Sequence, residues 1–376
     1  SNRRRTMTFD DSLLSYEEQT IFRLRRLYQS YGYVQYQMSK FEEYDLYAQN
    51  KDFLISDHVI TFMEAGRLMA LKPDVTLSIV RATRPGEHTL EKVFYDENVY
   101  RITKGSDVFR EIRQIGLECI GAVDSYHIAE VLLLSAESLR AISEQAVLNL
   151  SHLGAVSRAL ELSAVGADAR EQILKCLASK NLQGLESVCS EASARPEGAA
   201  LLRLLLTADG SPEETLDALS RYEVLASETQ DLRQILSVFR EAGLDSMLHL
   251  DFSVISDMNY YSGVVFQGYV QGVPGVVLSG GRYDPLLARM GYRGGAIGFA
   301  VYLDQLERLG TDEGNDVDLV LLCGSDAEPG DIVHAVRTLT SRGLRVRVAG
   351  SPPESLRYGK LARLNGREME ILEERT

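Results

Sequence analysis

The chain of 376 residues has few cysteines, no long apolar run and no excess of basic charge. Its cysteines form no C-x-x-C pair and have no histidine at zinc spacing, which favours reduced core thiols in a cytosolic protein. No apolar run approaches the roughly 18 residues that a membrane-spanning helix needs. With 40 Lys and Arg against 54 Asp and Glu, the net charge of −14 disfavours nucleic-acid binding. The cysteines are Cys119, Cys176, Cys189 and Cys323.

The common nucleotide and hydrolase motifs are absent as well. No G-x-G-x-x-G follows a strand, and there is no P-loop, H-E-x-x-H or nucleophile elbow. The six histidines are scattered, as isolated core or surface histidines are. The first five residues are polar and basic and lack the apolar region of a secretory signal. The length predicts two or three domains of ordinary globular composition.

The first 127 residues predict a helix followed by antiparallel sheet. Apolar positions at helical spacing predict an amphipathic helix over residues 14–31, and Gly32 is a natural stop for it. Strand-like runs follow, with a hairpin turn at residues 64–67. The predicted strands cover residues 33–36, 59–63, 68–71, 92–101 and 110–121.

The composition changes at residue 128. Residues 128–243 are rich in Ala, Leu, Ser and Glu, repeat apolar positions at three and four, and predict a helical insertion. Within it, Ser211-Pro212-Glu213-Glu214 has the chemistry of a helix start. Residues 244–310 resume the sheet and end in a predicted helix over 298–309. A β-α-β pattern over residues 317–376 predicts a small C-terminal α/β domain. The resumed strands cover residues 247–255, 260–271 and 276–279.

Four segments place polar or charged residues within otherwise apolar strands. Along residues 110–118 alternate side chains share a face, so Gln114 and Glu118 lie on one side of the strand. Because a buried charge must be paired or meet a ligand, this face suggests a pocket for a cationic or amino-bearing small molecule. A solvated face of an antiparallel sheet has the same pattern, and the pattern alone leaves both readings open. The segments are 71–76, 99–101, 110–118 and 259–263.

Six motifs occur in the order seen in the catalytic core of histidyl-tRNA synthetases, which this sequence resembles over roughly residues 10–309. The resemblance implies an α+β fold with a class II aminoacyl-tRNA synthetase-like antiparallel sheet flanked by helices. It also implies dimerisation through the region around the opening helix. The C-terminal domain looks like a shortened anticodon-binding domain. The motifs are residues 71–76, 100–101, 113–121, 259–263, 280–284 and 296–300.

The resemblance also implies a set of site residues. In the synthetases the matching residues surround the histidine substrate, where carboxylates suit its ammonium group and imidazolium-capable ring and tyrosines supply flat contacts. These residues are Asp74, Thr76, Gln114, Glu118, Tyr260 and Tyr261. The resemblance also implies the vestige of a nucleotide-binding side of the site, at Arg101, Arg113, Gly280, Gly281 and Arg282. On its own, the glycine pair also fits a plain tight turn. No metal, cofactor or catalytic residue is implied.

The departures from the synthetase pattern decide the expected function. Arg101 keeps the arginine of the second class II motif, but Thr103 stands where the family has Glu. Ser256 and Gln305 stand where it has two arginines. Using Arg308 instead would rotate an α-helix by about 300°. Such cations stabilise charge as pyrophosphate leaves, and one missing donor typically costs on the order of 10²- to 10³-fold in rate. The sequence therefore predicts no synthetase activity.

These observations make the sequence similar to the regulatory subunits of ATP phosphoribosyltransferase, synthetase paralogues of histidine biosynthesis. The resemblance implies a cytoplasmic, non-catalytic homodimer within a hetero-octamer, which the short-form catalytic subunit needs for activity and which conveys histidine feedback. It leaves two places for histidine, the synthetase-like pocket and a subunit boundary. No tRNA or membrane partner is expected. The alternative is a divergent histidyl-tRNA synthetase or a free-standing histidine-activating enzyme; a sensor of uncharged tRNA is disfavoured by the acidity.

Overall fold

The computed structural model divides the chain into two units, Ser1–Gly310 and Thr311–Thr376. The first unit holds the predicted sheet and the predicted insertion together, and the second corresponds to the predicted C-terminal domain. The structure describes residues 14–54, 58–86, 88–102, 108–208, 210–255, 260–309 and 315–375.

A large sheet forms the centre of the first unit. The strands of this unit are, in chain order, β1 (Val34–Gln35), β2 (Phe41–Glu43), β3 (Thr61–Glu64), β4 (Arg67–Leu71), β5 (Leu90–Ile102), β6 (Phe109–Gly121), β7 (Ala146–His152), β8 (Leu248–Leu250), β9 (Val264–Val270), β10 (Leu278–Arg282) and β11 (Gly295–Tyr302). Eight of them form one sheet in the order β1-β5-β6-β11-β10-β9-β7-β8. Its inner pairs are antiparallel, and the edge pairs β1–β5 and β7–β8 are parallel. The hairpin β3–β4 joins β2 in a small separate sheet.

Helices pack against both faces of the large sheet. The helices of the first unit are α1 (Tyr16–Ser30), α2 (Asp45–Ala48), α3 (Thr76–Thr83), α4 (Ser125–Ile142), α5 (Leu153–Ser163), α6 (Ala167–Ala178), α7 (Leu182–Glu191), α8 (Pro196–Leu206), α9 (Pro212–Leu219), α10 (Ala226–Glu241) and α11 (Asp284–Arg289). Helices α1 and α4 cover one face of the sheet, and the shorter α3 and α11 pack against the other. Tyr28 of α1 anchors the layer of α1 and α4. Its ring lies 6.0 Å from that of Phe94 and 5.9 Å from that of Phe299, and its hydroxyl lies 3.0 Å from Ser138 Oγ of α4. The main apolar core therefore lies between the sheet and α1 and α4.

Several predicted elements are confirmed. The opening helix is α1, and Ser15 caps it through a hydrogen bond from Glu18 N at 3.2 Å. The helix start predicted at Ser211 is also present, with Glu214 N donating to Ser211 Oγ at 3.2 Å. The hairpin β3–β4 and the long pair β5–β6 lie where the sequence predicts them. All four cysteines are free, and Cys119 and Cys189 are buried.

Two predicted helical stretches are wrong in part. The predicted insertion over 128–243 contains strand β7, whose buried Leu148 and Leu150 alternate with the exposed Val147. The predicted helix over 298–309 is β11 followed by a 3₁₀-helix, Leu303–Arg308. Residues Gly295–Phe299 of β11 are all buried, so both faces of this strand are covered. A short apolar run of that kind cannot be told from a buried helix by its period.

The 3₁₀-helix after β11 also changes the comparison of Arg308 with Gln305. A 3₁₀-helix has three residues per turn, so positions three apart lie on the same side. The rotation used to set aside Arg308 as a substitute for Gln305 therefore does not apply to Leu303–Arg308. A further correction concerns Gly280 and Gly281, which lie within β10 and not in a turn after a strand.

The second unit extends the predicted β-α-β pattern. Its elements are β12 (Val317–Cys323), α12 (Pro329–Thr340), β13 (Val346–Ala349), β14 (Tyr358–Asn365) and β15 (Glu368–Glu374). The strand order is β13-β12-β14-β15, with only β15 antiparallel to its neighbour. On one face α12 contributes Leu339 to a cluster with Leu319 and Leu364. Every residue of the edge strand β15 is exposed.

Small residues shape the face of the large sheet that is turned away from α1 and α4. Gly298 of β11 pairs with Glu118 of β6 on one side and with Gly281 of β10 on the other. A methyl group on Gly298 would overlap the Glu118 carboxyl group and crowd the Leu117 carbonyl oxygen. One on Gly281 would overlap the Tyr261 ring. These glycines are therefore needed for close approach of side chains and not for their backbone freedom.

We predict that Gly298→Ala lowers the free energy of unfolding by about 1–3 kcal/mol, because an added methyl group forces neighbouring groups to shift in a packed site. Urea unfolding followed by far-UV circular dichroism measures the loss. Gly86→Ala is the matched control, since a methyl group there meets only Thr89 Oγ1 at 3.7 Å. An equal loss in both variants would contradict the packing argument.

Candidate functional site

A cavity of about 510 Å³ opens on the sheet face opposite α1 and α4. Its floor consists of residues of β5, β6, β11, β10 and β9, and its walls come from the start of α3 and from the segments before β3, α3, β9 and α11. The described lining residues include Phe53, Asp74, Thr76, Tyr95, Arg101, Gln114, Glu118, Tyr260, Tyr261, Gln267, Ser279, Gly280, Tyr283, Gly298, Ala300 and Tyr302.

Glu118 lies at the buried end of this cavity. Thr76 Oγ1 donates to its Oε1 at 2.8 Å, and the Tyr283 hydroxyl donates to its Oε2 at 2.6 Å. Burial raises the pKa of Glu118 to about 8, although these two hydrogen bonds oppose the shift. At neutral pH the group is therefore mostly protonated when the cavity holds no cation. A cationic ligand would favour its ionised form.

Asp74 and Arg101 form a second polar pair. Leu77 N, in the first turn of α3, donates to Asp74 Oδ1 at 2.8 Å, and Arg101 Nη2 lies 3.8 Å from Asp74 Oδ2. Arg101 Nε donates to the Pro73 carbonyl oxygen at 2.5 Å. Burial raises the pKa of Asp74, and the Arg101 guanidinium acts in the opposite direction. Arg101 is thus held by partners within the protein.

Aromatic rings surround the charged groups. The ring of Tyr260 lies 4.5 Å from that of Tyr261, 5.9 Å from that of Tyr283 and 5.7 Å from that of Phe53, measured between centroids. Burial, followed by the charge of Glu118, raises the pKa of the Tyr283 hydroxyl. That hydroxyl therefore remains a neutral donor. The group forms a flat-walled chamber beside the two carboxyl groups.

The rest of the cavity is lined by neutral hydrogen-bonding groups. The Ser279 and Tyr302 hydroxyls lie 2.6 Å apart, and the Tyr269 hydroxyl donates to Gln267 Oε1 at 2.9 Å. Gln114 pairs with Tyr302 across β6 and β11. The cavity therefore has titratable groups at Asp74 and Glu118 and neutral polar groups around Tyr302.

The structure brings the six histidine-pocket residues together, since Asp74, Thr76, Gln114, Glu118, Tyr260 and Tyr261 all line the cavity. Of the residues assigned to the nucleotide side, Arg101 and Gly280 line it and three do not. Arg113 points to the opposite face of β6, where its side chain contacts Asp96 at 3.0 Å and Glu17 at 3.1 Å. Gly281 lies behind the Tyr261 ring, and Arg282 donates to Asp284 at 2.8 Å.

The three positions that depart from the synthetase pattern are not among the described lining residues. Thr103 and Ser256 lie outside the described residues. Gln305 is in the 3₁₀-helix after β11 and does not line the cavity. Conversely, sequence reasoning did not assign Tyr95, Gln267, Ser279, Tyr283 and Tyr302 to the site. Tyr283 stands within a quoted motif, but the other four are recognised only once strand register is known.

The described residues contain neither a cluster of metal ligands nor a membrane-spanning helix. No group of three or more His, Cys, Asp or Glu side chains in that part of the chain is arranged to hold a metal ion. No helix there has the length and apolar character to cross a membrane.

The cavity suits an amino-bearing, planar ligand better than a polyphosphate. Two carboxyl groups and several phenols can bind an ammonium group or a protonated ring. Arg101 is the one cationic side chain among the described lining residues, and Asp74 and the Pro73 carbonyl already hold it. A triphosphate would meet two carboxyl groups here and a single cation that already has partners within the protein.

We predict that the free energy of unfolding falls between about pH 4.5 and pH 8 because of Glu118. The folded protein retains the Glu118 proton up to about pH 8, whereas the unfolded chain releases it near the ordinary pKa of 4.5. The contribution is therefore complete below pH 4.5 and is lost as the pH rises through 8, which costs up to a few kcal/mol. Urea unfolding across this range should give a flatter profile for Glu118→Gln. Glu111→Gln, at an exposed position of the same strand, should keep the wild-type slope.

Comparison with known proteins agrees with this geometry. The histidyl-tRNA synthetase family model matches residues 11–306. The ATP phosphoribosyltransferase regulatory subunit of Moorella thermoacetica is 31% identical over 292 residues, which cover 76% of this chain and 75% of that protein. The protein of the same name from Alkaliphilus metalliredigens is 28% identical over 287 residues, covering 74% and 72%.

Solved structures share the fold. An ATP phosphoribosyltransferase regulatory subunit/histidyl-tRNA synthetase from Bacillus halodurans superposes with a TM-score of 0.71 at 22% identity, covering 89% of this chain and 88% of that one. The ATP phosphoribosyl transferase (HisG:HisZ) complex from Thermotoga maritima gives a TM-score of 0.61 at 19% identity, covering 76% and 97%. The class II synthetase-like fold is therefore confirmed. The chain belongs to the histidyl-tRNA synthetase family and, within it, to the ATP phosphoribosyltransferase regulatory subunits.

Proposed function

We propose that this chain is the non-catalytic regulatory subunit of a cytoplasmic ATP phosphoribosyltransferase. In this role it assembles with the short catalytic subunit, which needs it for the first step of histidine biosynthesis. The names of the relatives support this assignment, as does the shared fold with a chain of the Thermotoga maritima complex. We expect the assembly to contain homodimers of this chain within a hetero-octamer. The net charge of −14 supports a role without tRNA.

The charge balance of the cavity carries the non-catalytic part of the proposal. Activation of an amino acid by ATP requires cations where charge develops as pyrophosphate leaves. Among the described lining residues, Arg101 is the one cation against the carboxyl groups of Asp74 and Glu118. The serine at position 256 and the glutamine at 305 add no charge where the synthetases carry arginine. The chain thus retains an amino-acid cavity and has lost the cationic environment that activation needs.

We assign histidine feedback to the same cavity. Asp74 would bind the ammonium group, Glu118 would bind a ring nitrogen, and the Tyr260 and Tyr261 rings would contact the planar imidazole. Histidine alters the activity of the complex only if it binds one state of the assembly more tightly than another. The α3 start and β6, which supply Thr76 and Glu118, are the elements that a bound histidine would contact first.

Mixing this chain with a cognate short-form catalytic subunit should generate phosphoribosyl-ATP formation that neither chain shows alone. Added histidine should lower this activity. The measurement is the rate of phosphoribosyl-ATP formation from ATP and phosphoribosyl pyrophosphate. Unchanged rates on mixing, together with histidine-dependent exchange of pyrophosphate into ATP by this chain alone, would replace the proposal with an activating enzyme.

The Glu118→Gln variant should bind histidine about 10- to 100-fold more weakly, because a hydrogen bond to a charged group contributes about 1.5–3 kcal/mol. Isothermal titration calorimetry measures the dissociation constant. Glu111→Gln, exposed on the same strand, is the matched control and should bind as the wild type does. Equal affinities in both variants would move the histidine site to a subunit boundary.

A further inference from the structure

The cavity face of β6 and β11 is built from three successive cross-strand pairs. Glu118 pairs with Gly298, Gly116 with Ala300, and Gln114 with Tyr302. Successive pairs on one face lie two residues apart along the strands, about 7 Å. Three of the four members of these first two pairs are Gly or Ala. The Glu118 carboxyl group lies over Gly298 and the Tyr95 hydroxyl over Gly116, which leaves the space above Ala300 open to the cavity. The third pair ends this space with two large side chains.

Tyr302 also contacts the neighbouring strand β10. Ser279 of β10 pairs with Ala300, so Tyr302 is its diagonal neighbour, at a distance that an aromatic side chain can span. The hydroxyls of Tyr302 and Ser279 lie 2.6 Å apart. The phenol ring therefore crosses from β11 toward β10 over the end of the small-residue floor. A hydrogen bond holds it there.

The Tyr302 ring limits how far a bound ligand can extend along the strands. A molecule bound between Asp74, Thr76 and Glu118 can extend over Ala300 and then meets the Tyr302 ring. The cavity volume of about 510 Å³ exceeds what a single amino acid needs, so volume alone would not reject a longer molecule. Rejection must come from this wall. The polar groups near it, Gln114, Gln267 and Ser279, carry no charge to attract a phosphate.

We propose that Tyr302 is a specificity-determining residue that restricts the cavity to a free amino acid and excludes one joined to a nucleotide. This inference rests on the proposed function, because it takes histidine as the amino acid. It adds a steric barrier against an aminoacyl adenylate to the unfavourable charge described above. The Ser279 hydroxyl acts as a positioning group for the Tyr302 ring.

Two ligands test the proposal by calorimetry on the full chain: histidine and its non-hydrolysable adenylate analogue, the histidyl sulfamoyl adenosine. Wild type should bind histidine more tightly than the analogue. The measured quantity is the dissociation constant of the analogue divided by that of histidine. In Tyr302→Ala this ratio should fall at least about 10-fold, as expected when a pocket gains room for a rejected group. Tyr302→Phe keeps the ring and loses only the hydrogen bond, so its ratio should lie between those of wild type and Tyr302→Ala.

Ser279→Ala removes the same hydrogen bond from the other strand, which covers the case in which Tyr302→Ala does not fold. Its ratio should match that of Tyr302→Phe. Histidine binding with a ratio that is unchanged in Tyr302→Ala, or in Ser279→Ala if the former is unfolded, would overturn the inference alone. Wild type that binds the analogue as tightly as histidine would do the same. Wild type that binds no histidine would overturn the proposed role of the cavity and this inference with it.

Discussion

The site depends on one buried carboxyl group, that of Glu118, held between the hydroxyls of Thr76 and Tyr283. An isolated charge in such a place would be costly, and the protein meets this constraint by raising the Glu118 pKa and by supplying two donors. The same constraint explains the neighbouring glycine, because only Gly298 leaves room for the carboxyl group above β11. Helix α3 begins at Thr76, and the side chain of this first residue reaches Glu118 on β6.

Two residues of the site could be placed together from the strand period of two, whereas Asp74, Thr76, Tyr260 and Tyr261 were assigned by the resemblance to the synthetases. Gln114 and Glu118 are four residues apart and therefore share a face, as the structure places them. The same rule places Arg113 on the opposite face, where it contacts Asp96 and Glu17, although the resemblance grouped it with the nucleotide side. An argument from periodicity was thus more informative at this position than an argument from the family.

The rest could not be read because it depends on register between distant strands. Tyr95 reaches the cavity because it pairs with Gly116, and Tyr302 does so because it pairs with Gln114. No local pattern encodes either pairing. The buried strand β11 was mistaken for helix because a strand covered on both faces loses its alternation. Strand β7 keeps part of its alternation, but it lies within a long stretch of helical spacing. Helix caps, by contrast, are local, and those at Ser15 and Ser211 match the sequence chemistry.

The exposed edge strand β15 carries several of the acidic residues of this chain. An unpaired strand edge offers free backbone groups to any other chain, and Met369, Ile371 and Leu372 would add apolar contacts to such pairing. The strand also carries Glu368, Glu370, Glu373 and Glu374. Glu373 and Glu374 have cationic partners, Arg375 at 2.9 Å and Lys360 at 2.6 Å, so two copies brought edge to edge would set mainly the carboxylates of Glu368 and Glu370 against each other. The part of the net charge that lies on β15 therefore protects the second unit from self-aggregation, a task separate from any binding at the cavity.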